Sequence, residues 1–84
     1  MPYEKIRQNQ SELIIGMKQT LRAMKRNKVS RVFVASDADR AIIDPVITLA
    51  KELNIPHEHV KSMKELGALC GIDVGTSMAS IKRQ

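Results

Sequence analysis

Arg31-Val32-Phe33-Val34-Ala35 is the stretch that most limits how this chain folds. Four apolar residues follow one another, two of them β-branched, with no polar residue between them. A strand with one wet face alternates polar and apolar side chains, and this one does not. It predicts a central strand buried within the protein. The flanking residues predict what surrounds it. Leu13-Ile14-Ile15 is a brief apolar run stopped by Gly16, read as a short buried strand. Ser36-Asp37-Ala38-Asp39 is turn chemistry and a helix entry. Pro45 suits the first turn of the helix that follows, which is expected to run to about Leu53 on an apolar stripe of Val46, Leu49, Ala50 and Leu53.

Asn54-Ile55-Pro56 ends that helix, and His57-Glu58-His59-Val60 reads as an edge-like strand. Ser62 with Glu65 three residues on is a capping box, opening a helix that closes near Cys70-Gly71. A loop over residues 72–77, a last short strand at Met78-Ala79-Ser80-Ile81 and a polar tail complete the chain. Tyr3 to Ser11 reads as a short polar helix. Strands alternating with helices predict an α/β layer structure, one sheet of about four strands sandwiched between about four helices. A chain of 84 residues is one domain, 1–84, with room for one core. That core must be aliphatic, because the chain holds one Tyr, one Phe and no Trp.

The charge is lopsided. Residues 1–28 hold seven Lys/Arg against two acids, while residues 29–84 hold seven of each. The whole excess of +5 therefore sits in the first third of the chain. Its centre is Gly16 to Lys28, a stretch with no acid. Met17, Leu21 and Met24 recur there at helical spacing, and Lys18, Arg22, Lys25 and Arg26 recur on the other side. A wet helix face usually mixes signs, because opposite charges one turn apart support the helix and like charges repel. A solvated face accounts for the spacing alone, whereas localised basic charge is also the footprint of a polyanion. Gly16 lets the chain turn tightly into this helix, whose first N–H groups attract anions. Lys18, Gln19 and Arg22 near the helix start are placed to reach base edges, with Lys25 and Arg26 placed for phosphates.

A second candidate is the loop Ile72-Asp73-Val74-Gly75-Thr76. Apolar residues in a loop suit contact with an unstacked base, although packing in the core is by itself the commoner explanation of such residues. Other chemistry is thinner. Asp37-x-Asp39 after an apolar strand resembles a Mg²⁺ site of phosphoryl-transfer enzymes, but helix capping uses the same residues, and no glycine loop to cradle phosphate accompanies them. His57 and His59 share a strand face without a further ligand. Cys70 is alone, which excludes a disulfide framework within the chain and fits a reducing cytoplasm. No apolar run of membrane length is present. No metal, cofactor or catalytic residue is expected.

The order Gly16-x-Lys18-Gln19-x-x-Arg22-x-x-x-Arg26, then Val32-Phe33-Val34-Ala35-x-Asp37-x-Asp39, then Leu66-Gly67-x-x-x-Gly71-Ile72-x-Val74, resembles the kink-turn RNA-binding ribosomal-protein family, the archaeal large-subunit "seven-Ae" type and its small bacterial members. The resemblance covers about Leu13 to Ile81. It implies an α/β/α sandwich, with a mixed sheet of short strands and helices on both faces. It also implies binding to a kink-turn, a sharply bent RNA with tandem sheared G·A pairs, in ribosomal RNA or a riboswitch. In the family a Gly-x-Asn-Glu-x-x-Lys segment enters the widened groove at those pairs. Lys18 stands here for the Asn, Gln19 for the Glu and Arg22 for the Lys. The loop after Gly71 packs, by the same resemblance, over a flipped-out nucleotide. The expectation is a cytoplasmic, monomeric RNA-binding protein that contacts neither DNA nor membrane. A protein–protein adaptor of the same fold, using residues 40–70, is the alternative.

Overall fold

The computed structural model describes residues 12–83. Strand β1 (Leu13–Ile15) turns through Gly16 into helix α1 (Met17–Lys25), followed by β2 (Val29–Ala35), α2 (Arg40–Glu52), β3 (His57–Val60), α3 (Met63–Leu69) and β4 (Met78–Lys82). The strands form one mixed sheet in the order β1-β4-β2-β3. The neighbours β1–β4 and β4–β2 are antiparallel, and β2–β3 is parallel. A parallel pair needs a crossover, which α2 supplies.

The apolar run in β2 behaves as its composition demands. Val32, Phe33, Val34 and Ala35 are all 0% exposed. Successive side chains point to opposite faces, so both faces of the central strand are covered, as a sandwich requires. The strand begins two residues earlier than Arg31. Val29 pairs with Lys82, and the register then shifts before Arg31 pairs with Ile81. Ser30 occupies the irregularity, and its hydroxyl donates to the Ile81 carbonyl at 3.2 Å.

The three helices among the described residues stop by one device. Asn27 and Asn54 have φ of 58° and 57°, and Gly71 has φ of 79°. The next residue in each case bonds back across the helix end: Lys28 N to Ala23 O, Ile55 N to Ala50 O and Ile72 N to Gly67 O. The left-handed residue and its back-bond satisfy carbonyls that the helix leaves free. Ser62 starts α3 as its capping box predicts, its hydroxyl accepting from Glu65 N at 3.0 Å.

Three expectations change. Leu53, read into the apolar stripe of α2, caps the helix end and is 44% exposed. Pro45 does not open α2. It sits inside a helix that begins at Arg40, where the Asp39 carboxylate caps the start by accepting from Ala41 N. Pro45 has no N–H to offer Ala41 O, but Ala41 is exposed and water can satisfy that carbonyl. The inner stripe of α1 is also not the one read from Met17, Leu21 and Met24. Met24 is buried, Leu21 half-buried and Met17 exposed at 41%. Thr20 takes the inward place, its hydroxyl meeting that of Ser80 on β4. The polar neighbour on the sheet explains why a threonine goes in and a methionine stays out. The helix expected over Tyr3 to Ser11 lies outside the described residues.

Candidate nucleic-acid interface

The two stretches singled out by charge and loop chemistry meet at one atom. Gly16 N donates to the Met78 carbonyl oxygen at 3.1 Å, and the Thr76 hydroxyl donates to the same oxygen at 2.9 Å. The start of α1 and the end of the 71–77 loop are thereby tied to the first residue of β4. A carbonyl has two lone pairs, so both bonds are made without competition.

Gly16 is at φ 99°, a conformation that strains side-chain-bearing residues. The turn aims the first N–H groups of α1 outward. Thr20 N makes the first bond back to Gly16 O, and no side chain among the described residues caps the helix. The N–H groups of Met17, Lys18 and Gln19 therefore lack an intrahelical partner. There is also no acid in the first turn. Gln19 folds back towards the turn: its Oε1 stands 3.4 Å from where a Cβ on Gly16 would be. Lys18, Gln19, Arg22, Lys25 and Arg26 are all exposed. The ion pairs among the described residues are Arg31–Glu58 and Arg40–Asp44, so the cations of α1 are in neither.

The loop is held by α3 beneath it. A Cβ on Gly67 would stand 2.0 Å from the Val74 carbonyl oxygen, so the loop rests directly on a helix backbone that only glycine leaves open. Thr76 N donates to Met63 O at 3.1 Å, and Met63 N donates to the Asp37 carboxylate at 2.8 Å. Asp37, at the end of β2, thus fixes the start of α3, and α3 fixes the loop. This answers the Asp-x-Asp motif. Both carboxylates are engaged with backbone N–H groups at helix starts, Asp37 at α3 and Asp39 at α2.

The loop residues divide. Val74 is 70% exposed, and Asp73 and Gly75 are exposed with it. Ile72 is half-buried and packs on the core, because the back-bond that ends α3 tucks it inward. Thr76 is buried, its hydroxyl committed to Met78. The apolar surface the loop offers is therefore Val74, with Met63 at 37% exposed close to Gly75. Sequence reasoning did not reach the parts played by Asp37, Met63 and the Met78 carbonyl. These are backbone-mediated contacts between residues far apart in the chain, and no local spacing announces them. His57 and His59 sit ring to ring at a 6.1 Å centroid distance. Among the described residues no three His, Cys, Asp or Glu gather as a metal site, and no helix is long and apolar enough to cross a membrane.

A four-stranded mixed sheet with an uncapped, exposed basic helix start beside a propped loop defines a small α/β protein. The chain belongs to the ribosomal protein L7Ae/L30e/S12e/Gadd45 family, whose model matches residues 2–84. An RNA-binding protein of a Geobacillus species is 48% identical over 83 residues, spanning 99% of this chain and 100% of the relative. The RNA-binding protein YbxF of Geobacillus stearothermophilus is 46% identical over 83 residues, with the same coverage. Among solved structures, a 15.5kD RNA binding protein of Giardia lamblia superposes with a TM-score of 0.91 over 99% of this chain and 72% of that one. At 24% identity that likeness speaks for the fold.

Proposed function

We propose that this protein binds RNA and holds it in the kink-turn conformation, acting in the cytoplasm as a monomer on ribosomal RNA or a riboswitch. The family and the names of the relatives, RNA-binding proteins and not enzymes, support the RNA partner. The observation that carries the finer reading is the shared Met78 carbonyl. It sets the basic start of α1 and the exposed Val74 loop side by side. A bent RNA offers that pair two different things. Its stem crowds phosphates and opens base edges for Lys18, Gln19 and Arg22, with Lys25 and Arg26 on the backbone. Its bend expels a nucleotide that an apolar loop can cover.

The mechanism is a population shift. Folding an RNA sharply brings its phosphates together, and without counter-charge the extended form wins. A protein with affinity for the kinked form alone draws the equilibrium towards it. Moving an RNA from about one part kinked in a hundred to nearly all kinked takes a preference of roughly 10⁴. Phosphate contacts make the affinity fall steeply with salt.

The test titrates the protein and its Lys18→Ala and Arg22→Ala variants against a kink-turn and a straight duplex of the same length. Each substitution is expected to weaken kink-turn binding by ~1–3 kcal/mol and duplex binding much less. A wild-type protein that binds both RNAs alike overturns the kink-turn reading and leaves a general RNA-binding protein.

A further inference from the structure

The cations of α1 continue past the helix into a cluster that the kink-turn site does not use. Lys18, Arg22 and Arg26 stand one turn apart, a row about 12 Å long. Beyond Asn27 the chain reaches Lys28, whose carbonyl accepts from Arg83 N at 2.7 Å. Lys82 pairs with Val29 at the end of the sheet. It lies two residues from Ser80 and shares its face, the face on which α1 packs through the Thr20–Ser80 contact. Lys28, Lys82 and Arg83 therefore gather beyond the last turn of α1, beside Arg26. All four are exposed, and among the described residues neither ion pair involves them. The negative end of the helix dipole does not account for so many cations, since Arg22 and Lys25 already occupy the last turn. Like charges this close repel. The nearest acid along the sheet is Glu12, which precedes Leu13, the β1 partner of Ile81, and among the described residues it is in neither ion pair.

We propose that Lys28, Lys82 and Arg83 form a second RNA contact, which grips the phosphates of the duplex stem leading away from the kink. The inference rests on the proposed function for its partner. Charge complementarity and continuity with the row on α1 select the occupant. Flexible cations without an apolar or aromatic side chain between them suit a backbone, which they hold without reading sequence. The kink site then fixes which RNA is bound, and the far cluster fixes the direction in which its stem leaves.

The experiment compares wild-type protein with the Lys28→Gln/Lys82→Gln/Arg83→Gln variant on two kink-turns, one with a long stem and one with that stem cut short, and on a straight duplex. Affinity is measured over a series of salt concentrations. Wild type is expected to lose about tenfold in affinity when the stem is cut, and the variant nothing. The variant's salt slope on the long stem is expected to be shallower by roughly 0.9 for each phosphate it no longer neutralises. A Lys28→Arg/Lys82→Arg variant keeps the charge and is expected to bind as wild type, which separates charge from damage to the sheet end. If wild type prefers kink-turns but the two stems bind alike, the second contact is overturned and the kink-turn reading stands. If wild type shows no preference for kink-turns, both fall together.

Discussion

The carbonyl oxygen of Val74 lies 2.0 Å from the point where a side chain on Gly67 would begin. The atom is backbone, so it cannot swing away as the end of a long side chain could. A Gly67→Ala protein must lift the loop off α3 or push α3 from the sheet. Overpacking of this kind costs ~1–3 kcal/mol. In a domain of this size each kcal/mol lowers Tm by about 4–8 °C. Thermal unfolding is expected to show that loss, and RNA affinity is expected to fall as well, because Val74 moves with the loop. A variant as stable as wild type would mean that the loop is not seated on the helix.

Thr76 tests the same support from its other end. Its hydroxyl and the Gly16 N–H share the Met78 oxygen, so Thr76→Val removes one donor and leaves the carbonyl still bonded. The stability cost is therefore that of one ordinary hydrogen bond, ~0.5–1.5 kcal/mol. The effect on kink-turn binding is expected to be larger than the effect on folding, because the bond sets the loop against the start of α1. Urea unfolding and RNA titration on one sample compare the two. A binding loss no greater than the stability loss would make Thr76 a core residue only.

These contacts mark where the sequence stops being informative. β2, the Ser62 start of α3 and the basic face of α1 are legible because each is a local pattern of a few neighbouring residues. The family is legible too, through the order of three motifs, and so is the loop as an element. The internal division of the 72–76 loop is not. Ile72 and Val74 look alike in the loop, and only the back-bond to Gly67 shows that one turns in while the other turns out. Pro45 misleads because a proline at a helix start is the common case, whereas here it sits one turn further in, on an exposed side of the helix next to exposed Asp44 and one turn after exposed Ala41. Asp37 and Met63 are 26 residues apart, so the cap between them is invisible until the chain is folded.

The two aspartates separate by role. Asp39 caps α2, away from the loop, and Asp39→Ala is expected to lower stability by ~0.5–2 kcal/mol with RNA affinity unchanged. Asp37 holds the start of α3, and Asp37→Ala is expected to lower both. Urea midpoints at constant m report the first quantity, and RNA titration the second. Equal binding losses for the two variants would show that Asp37 does not reach the loop.

Burial raises the Cys70 thiol above its ordinary value. The fold therefore favours the neutral thiol, and the unfolded chain ionises first as pH rises. The stability tied to the neutral thiol is whole below the ordinary value and is lost as pH climbs through the raised one. Wild type is expected to lose stability above about pH 8.5 more steeply than Cys70→Ala. Alkylation of the native thiol is expected to be slow and to accelerate in urea, where the thiolate is freed. A native thiol that reacts as fast as the unfolded one would show that Cys70 is open to solvent.

Lys18 sets folding against binding. It stands in the first turn of α1, at the positive end of the helix dipole, with no acid beside it. A cation there is unfavourable, and exchanging it for an anion is stabilising by ~0.3–1 kcal/mol. Lys18→Glu is therefore expected to raise Tm by a few degrees. The same exchange turns a charge proposed to meet RNA into one that repels it, so kink-turn affinity is expected to fall by about tenfold or more. Sites tuned for function often sit below the stability their position allows, and the opposite signs are the mark of one. Calorimetry of the free protein and titration at low salt supply both signs. A Lys18→Glu protein that loses stability and binding together would show that the side chain serves the fold instead, and the RNA role assigned to it would be withdrawn.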